Sequence, residues 1–257
     1  MTNHVLEIKT KYGVVGNPVE HSLSPKIHHA FAQEVGISLS YEKYCVSIEK
    51  GIFETFVQQF FEEGGDGLNI TVPFKQRAFH CVNQVTERAR LAGAVNTIIP
   101  LSSVALLGDN TDGVGLVRDL SETHAIPLQG KRIVILGSGG AAQGIFPALT
   151  AEAPREIVMV SRQRFPTYRD LDGVFDLVIN ATPLSLSNTL PPISATILGA
   201  DSFCYDLAYN RHRETVFTQW AKKNHIKAAD GLGMLIRQAA EAFFQWHGVM
   251  PSNVDLK

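Results

Sequence analysis

Three side chains on one short stretch carry the first chemical signal. In Gly67-Leu68-Asn69-Ile70-Thr71-Val72-Pro73-Phe74-Lys75, the small polar residues Asn69 and Thr71 alternate with the apolar Leu68, Ile70 and Val72. A period of two predicts a strand with one apolar and one polar face. Pro73 lacks the N–H that would extend the ladder, and Lys75 follows at the start of an expected helix. An amide, a hydroxyl and an ammonium then line one edge, a set suited to a small hydroxylated molecule whose protons must be moved. The same residues also read as an edge strand running into a helix, with Lys75 solvated. What decides is whether other stretches converge on the same chemistry.

Three do. Ser24 with Pro25 behind it predicts a helix start, Ser24 as N-cap and proline at the first helical position. Ser22 has no capping duty in that reading, and paired hydroxyls before a helix N-terminus suit a polar ligand. Asn96 is a lone polar interruption in the apolar strand Ala94–Ile99. Asp112, in Gly108-Asp109-Asn110-Thr111-Asp112-Gly113, reads either as a helix N-cap or as a group at a crossing between domains. Thr111 would cap as well, and such a crossing is where clefts lie.

A different signal follows. Arg132–Leu136 is a continuous apolar strand, as in a parallel sheet covered on both faces, and it runs into Gly137-Ser138-Gly139-Gly140-Ala141-Ala142 and then a helix. This is G-x-G-x-x-A between strand and helix, the context of a dinucleotide fingerprint. Backbone N–H groups approach a pyrophosphate there, and the helix N-terminus favours its charge. The next strand, Glu156–Val160, ends in Ser161-Arg162-Gln163-Arg164. An NAD enzyme usually offers an acid at this place, whereas arginine suits the 2′-phosphate of NADP. No acid is present, so NADP(H) is the expected cofactor, held by Arg162 with help from Ser161, Gln163 and Arg164.

The elements that position these groups fall into two sets. Residues 1–112 alternate helices and strands as a mixed α/β domain, with inward stripes such as Ile52, Phe53, Phe56 and Phe60. Residues 113–235 repeat strand and helix as a doubly wound Rossmann domain, its first helix turning Val114, Val117 and Leu120 inward. A last helix within 236–257 is expected to complete the first domain, leaving a cleft between the two. The chain of 257 residues is long enough for both domains. Its 45% hydrophobic and 19% charged residues are ordinary for a globular protein. A net charge of −2 gives no reason to expect nucleic acid or an anionic membrane as partner. No apolar run reaches spanning length. The three cysteines, Cys45, Cys81 and Cys204, lie far apart outside any metal-ligand spacing, so free thiols, a cytoplasmic setting and no metal are expected.

These motifs together resemble the shikimate dehydrogenases. The resemblance runs through Ser22-Leu23-Ser24-Pro25, Asn69 to Lys75, Gly93-Ala94-Val95-Asn96-Thr97, Asn110-Thr111-Asp112-Gly113 and Gly137 to Ala141. It continues in Asn180-Ala181-Thr182, Tyr205-Asp206-Leu207-Ala208-Tyr209, and Gly231-Leu232-Gly233-Met234-Leu235 with Gln238. It implies NADP-dependent interconversion of 3-dehydroshikimate and shikimate, with Lys75 and Asp112 as the catalytic pair. By the same resemblance Ser22, Ser24, Asn69, Thr71, Asn96, Tyr209 and Gln238 bind substrate, and Gly137, Ser138, Gly139, Gly140, Ala141, Thr182, Leu207 and Gly231 join Ser161 to Arg164 around the cofactor. A monomer or homodimer is implied. The sequence departs from the family at Ser161-Arg162-Gln163, often Asn-Arg-Thr, at Pro166, where an arginine is expected, and at Pro183-Leu184-Ser185-Leu186, usually a small glycine-containing loop. A quinate/shikimate enzyme with looser cofactor choice, a non-catalytic NADP sensor and an NADP-linked folate dehydrogenase are the alternatives. The sensor predicts loss of Lys75 or Asp112, and both are present.

Overall fold

In the computed structural model, which describes residues 10–102, 104–161 and 171–252, the chain divides into two compact units. Met1–Thr111 and Gln238–Lys257 form one, and Asp112–Arg237 the other.

The first unit is ordered β1 (Thr10–Gly16), α1 (Ser24–Val35), β2 (Leu39–Cys45), α2 (Ile52–Glu62), β3 (Gly65–Ile70), α3 (Lys75–Cys81), β4 (Gln84–Val85), α4 (Glu87–Ala92), β5 (Thr97–Ser102) and β6 (Ala105–Asp109). Its sheet runs β2-β1-β3-β5-β6-β4. β1 pairs parallel with β2 and β3, and β5 turns antiparallel between β3 and β6. The core gathers Val15, Phe53, Val57, Phe60, Leu68, Ile70, Phe74, Val95 and Ile98. Burial of such side chains is worth about 1.5–3 kcal/mol each.

Two expectations about this unit fail. In α2 the expected Phe53 and Phe60 are buried and Phe56 packs partly buried against the core, but Val57 completes the inward stripe in place of Ile52, which is exposed. β3 ends at Ile70, two residues before the alternation does. Phe74 N–H then donates to the Thr71 carbonyl (3.0 Å), closing a turn that leaves Val72 67% exposed. The β4 strand, only two residues long, carries no periodic signal in the sequence.

The second unit comprises α5 (Asp112–Arg118), continuing into a π-helical turn over Asp119–Thr123, then β7 (Arg132–Leu136), α6 (Gly140–Ala151), β8 (Glu156–Val160), β9 (Phe175–Asn180), β10 (Leu198–Asp206), α7 (Val216–Lys223), β11 (Lys227–Ala229) and α8 (Leu232–His247). The division between units falls inside α8, after Arg237. All five strands are parallel, in the order β11-β10-β9-β7-β8. The continuous apolar run of β7 is explained by its surroundings. Ile133 and Ile135 enter a core with Leu116, Leu120, Ile145 and Leu149, whereas Val134 and Leu136 enter another with Phe175, Cys204 and Phe217. A strand covered on both faces has no polar side to show. In α5 and the turn that follows, the buried apolar side chains are Leu116 and Leu120; of the other two expected inward, Val117 packs partly buried against the same core and Val114 is half-buried. Gly113 fits there because a Cβ would come within 2.6 Å of the Ala148 side chain on α6. The last helix starts at Leu232, ahead of the expected Ile236.

Candidate functional site

In the first unit the buried amides and hydroxyls form one hydrogen-bonded network. Asn69, at the C-terminal end of β3 and 6% exposed, donates to the Asn96 carbonyl (3.2 Å) and to Thr97 Oγ1 (3.1 Å). Its Oδ1 accepts from Tyr41 Oη at 2.6 Å, which fixes the orientation of the amide. Asn96, one residue before β5, is the hub. Its Nδ2 donates to Thr111 Oγ1 (3.0 Å) and Gln238 Oε1 (3.3 Å), and its Oδ1 accepts from Thr111 N–H (2.9 Å) and Thr97 Oγ1 (2.9 Å). The Thr111 hydroxyl lies 3.2 Å from both Asn96 Oδ1 and Gln238 Oε1, so its single proton serves one at a time. The structure thus brings Asn69, Asn96 and Gln238 together although Gln238 lies 142 residues beyond Asn96.

Lys75 opens α3, and its carbonyl accepts from Val95 N–H (2.9 Å), which ties the helix start to the residue before Asn96. The ring of Phe74 stacks on Phe53, centroids 4.5 Å apart, and anchors the same turn. Thr71 N–H donates to the Val15 carbonyl (2.9 Å), and its methyl occupies the space a Cβ on Gly16 would need.

The serine pair corrects the sequence reading. Leu23 is the N-cap of α1, and Ser24 is its first helical residue, 6% exposed. Ser22 Oγ accepts from Ser24 N–H at 3.2 Å and lies 3.2 Å from Ser24 Oγ. The local structural duty expected of Ser24 therefore falls to Ser22, and the two hydroxyls are joined. Asp112 likewise lies inside α5, as its first residue, rather than before it, and is buried at 6% exposure.

Asp112 and Tyr209 belong to the second unit, as do the expected cofactor residues among those described. Gly137 follows β7 with φ +109°, and a Cβ there would meet the Ala181 carbonyl oxygen at 3.1 Å and the Thr182 methyl at 3.4 Å. Only glycine holds that conformation comfortably. Gly139 is the N-cap of α6, and nothing lies within 4 Å of where a Cβ on Gly139 or Gly140 would sit. The backbone of these two glycines is therefore open to close approach at the start of α6, a fit to a pyrophosphate. This loop stands between β7 and β9, where the strand order reverses, the usual ligand edge of a doubly wound sheet. Leu207 and Gly231 also meet, since Gly231 N–H donates to the Ala208 carbonyl (3.1 Å) and a Cβ on Gly231 would strike the Leu207 carbonyl. Ser138 is exposed on the same loop, Ala141 is exposed on the first turn of α6, and Ser161 follows β8 half-buried. Arg162, Gln163, Arg164 and Pro166 lie outside the described residues.

Several participants carry no sequence signal. Tyr41 is legible only as a strand residue. His28 stacks on it, centroids 4.4 Å apart, as a neutral ring, because burial, with His247 and His29 nearby, pushes its imidazole down to about 3. Asn180 is part of a motif, but its bonding is not readable from the chain. Its Oδ1 accepts from Thr182 N–H (3.1 Å) and Oγ1 (2.7 Å), and its Nδ2 donates to Ser185 Oγ and Asp206 Oδ1, both at 3.0 Å. These bonds hold the departing loop Pro183–Ser187 as a short 3-10 helix. Among the described residues no group of three His, Cys, Asp or Glu side chains could hold a metal ion, and no helix is long and apolar enough to cross a membrane.

A glycine loop at the switch point of a parallel sheet, in a chain whose other unit presents buried amides, hydroxyls and a lysine, defines a dinucleotide-dependent oxidoreductase of small polar substrates. The model of the shikimate dehydrogenase substrate binding domain matches residues 14–98, and that of the shikimate 5'-dehydrogenase C-terminal domain matches residues 231–254. The shikimate dehydrogenase (NADP(+)) of Alkalilimnicola ehrlichii is 44% identical over 95% of both chains. Among solved structures, an Ael1 enzyme from Pseudomonas putida (TM-score 0.84, 37% identity) and the Thermus thermophilus shikimate 5-dehydrogenase in complex with NADP(H) and shikimate (TM-score 0.82, 29% identity) each match over 95% of both chains. The chain belongs to the shikimate dehydrogenase family.

Proposed function

We propose that this chain interconverts 3-dehydroshikimate and shikimate with NADP(H), using Lys75 and Asp112 to manage the proton. The observation that carries the reading is the Asn96-centred network, which gathers Asn69, Thr111 and Gln238 beside the strand-to-helix turn bearing Lys75. When bound, NADPH supplies the hydride. Reduction of a ring ketone leaves an alkoxide, and the Lys75 ammonium both stabilises that charge and delivers the proton. Asp112 accepts a hydrogen bond from the substrate hydroxyl and orients the lysine. Ser22 and Ser24 bind the substrate carboxylate, while Asn69, Thr71, Asn96, Tyr209 and Gln238 bind its hydroxyls.

Gly137 to Ala141 hold the pyrophosphate through backbone N–H groups, and Thr182, Leu207 and Gly231 border the remainder of the cofactor. Arg162, helped by Ser161, Gln163 and Arg164, selects NADP through charge-assisted bonds to the 2′-phosphate, each worth roughly 1.5–3 kcal/mol. The enzyme works as a monomer or homodimer in the cytoplasm; Cys45, Cys81 and Cys204 are free thiols, which suits a reducing compartment. The test is kcat/KM for shikimate and quinate with NADP and NAD. Strong preference for shikimate with NADP is expected, and equal efficiency with both cofactors overturns the role given to Arg162.

A further inference from the structure

Behind the amide network of the first unit sits a charged cluster that no step of the reaction uses. Arg88, on the first turn of α4, forks onto Asp109: Nε donates to Oδ1 at 2.7 Å and Nη2 to Oδ2. Its third arm, Nη1, donates to Glu241 Oε1 on α8 at 3.0 Å. Asp109 is fully enclosed, Glu241 is 6% exposed, and the Arg88 side chain keeps 33% of its surface in water. Thr86 Oγ1 (2.6 Å) and Asn110 N–H (2.8 Å) also donate to Asp109 Oδ1.

Both carboxylates are one step from the network. The Asp109 carbonyl accepts the Asn96 N–H at 2.9 Å, pinning the hub residue. Glu241 stands three residues after Gln238 on α8, hence on the same face of the helix. A shift or rotation of α8 that broke the Arg88–Glu241 bond would also withdraw Gln238 Oε1 from Asn96 and Thr111. We propose that Arg88 is a positioning residue for substrate binding: its planar fork locks Asp109 and Glu241 together and thereby sets Gln238 against Asn96. A lysine could not replace it, because a single ammonium lacks the fixed geometry that serves two carboxylates on different elements. The inference rests on the reading of Gln238 as a substrate ligand.

The experiment is a double-mutant cycle read as KM for shikimate, KM for NADP and kcat in Arg88→Lys, Gln238→Ala and the double variant. Arg88→Lys should raise KM for shikimate about threefold to tenfold, the scale of one hydrogen bond lost or misplaced, with KM for NADP unchanged. Gln238→Ala should raise it at least as much, and adding Arg88→Lys should then raise it no further, since both act through one contact. Glu241→Gln, which keeps the volume and one acceptor, repeats the cycle if Arg88→Lys does not fold, and should show the same non-additivity. Multiplying effects in the double variant, or an equal rise in KM for NADP, overturns the positioning role while leaving Gln238 a ligand. An unchanged KM in Gln238→Ala overturns the reading of Gln238 itself, and the role of Arg88 with it.

Discussion

Asp109 in the first unit and Asp206 in the second invite comparison, because each is the last residue of a strand and each is fully enclosed. Their carboxyls nevertheless move in opposite directions. Burial pushes Asp109 up, but the Arg88 fork, with Thr86 and the Asn110 N–H, outweighs it and holds the group below the usual carboxylate range. Burial pushes Asp206 up as well, and there the neutral donors Ser185, Thr215, Asn180 and the Ala208 N–H only partly oppose it. Enclosure alone does not settle the charge of a carboxyl; the charge of its partner does. The contrast extends to the surroundings. Around Asp109 a charged clamp backs a network of side chains, whereas around Asp206 neutral hydrogen bonds shape a loop in a unit whose expected pyrophosphate contacts come from backbone.

Substitutions in four places separate the two units experimentally. Chemistry assigned to a side chain of the first unit makes Lys75→Ala the largest effect: kcat should fall by about 10²–10⁴ while KM for shikimate moves little. Near-normal turnover in steady-state assays would remove Lys75 from the mechanism.

Asp109→Ala comes next. It removes the carboxylate under the Arg88 fork and leaves Arg88 with Glu241 alone, costing about 3 kcal/mol, the low end for a broken buried pair because Arg88 keeps some water and one partner. Denaturant unfolding would measure it. The depressed pKa also makes a signed prediction. The stability Asp109 contributes is present above its unfolded pKa of about 3.9 and is lost as pH falls through the lower folded value, so the variant should unfold less steeply in acid than the parent.

Gly137→Ala tests the backbone side of the contrast. A Cβ forced to φ +109° and within 3.1 Å of the Ala181 carbonyl should cost about 1–3 kcal/mol and raise KM for NADP. Gly139→Ala, whose Cβ would meet nothing within 4 Å, should keep its melting temperature and lose only cofactor affinity. Equal melting of the two variants would refute the steric account.

The smallest effect belongs to Asp206→Asn, which should change stability at neutral pH by less than about 1 kcal/mol, in the stabilising direction. A raised folded pKa gives stability that is full below the unfolded value of about 3.9 and is lost as pH rises through the folded one. Asparagine can still accept from Asn180 and Ala208 without carrying that cost. A loss comparable to that of Asp109→Ala would show that Asp206 is held as a needed anion.

Much of this is legible locally. The turn into Lys75, the strand–glycine–helix passage at Gly137 and the two-faced apolar run of β7 each depend on neighbours in sequence, through period, proline geometry and the freedom of glycine. Errors arise where local pattern and pairing compete. Val72 continues the alternation of β3, yet the ladder stops at Ile70 and the turn closed by Phe74 carries Val72 into solvent. Ser24 has the residue type and the following proline of an N-cap, but the helix begins one residue earlier and Ser22 takes the local bond. No residue-level rule separates such one-residue shifts, because each costs only about a hydrogen bond.

The residue types by themselves determined that two α/β units exist, that one carries a dinucleotide loop and that Asn69, Lys75, Asn96 and Asp112 are the chemical candidates. Only the tertiary structure decided which groups share bonds. Arg88 reaches Glu241 across 153 residues, Asn96 reaches Gln238 across 142, and Tyr41 orients Asn69 across 28. Such pairings have no periodicity to announce them. They follow from where whole elements pack to bury apolar surface, and the polar groups carried inward must then find partners among whatever the packing has placed beside them.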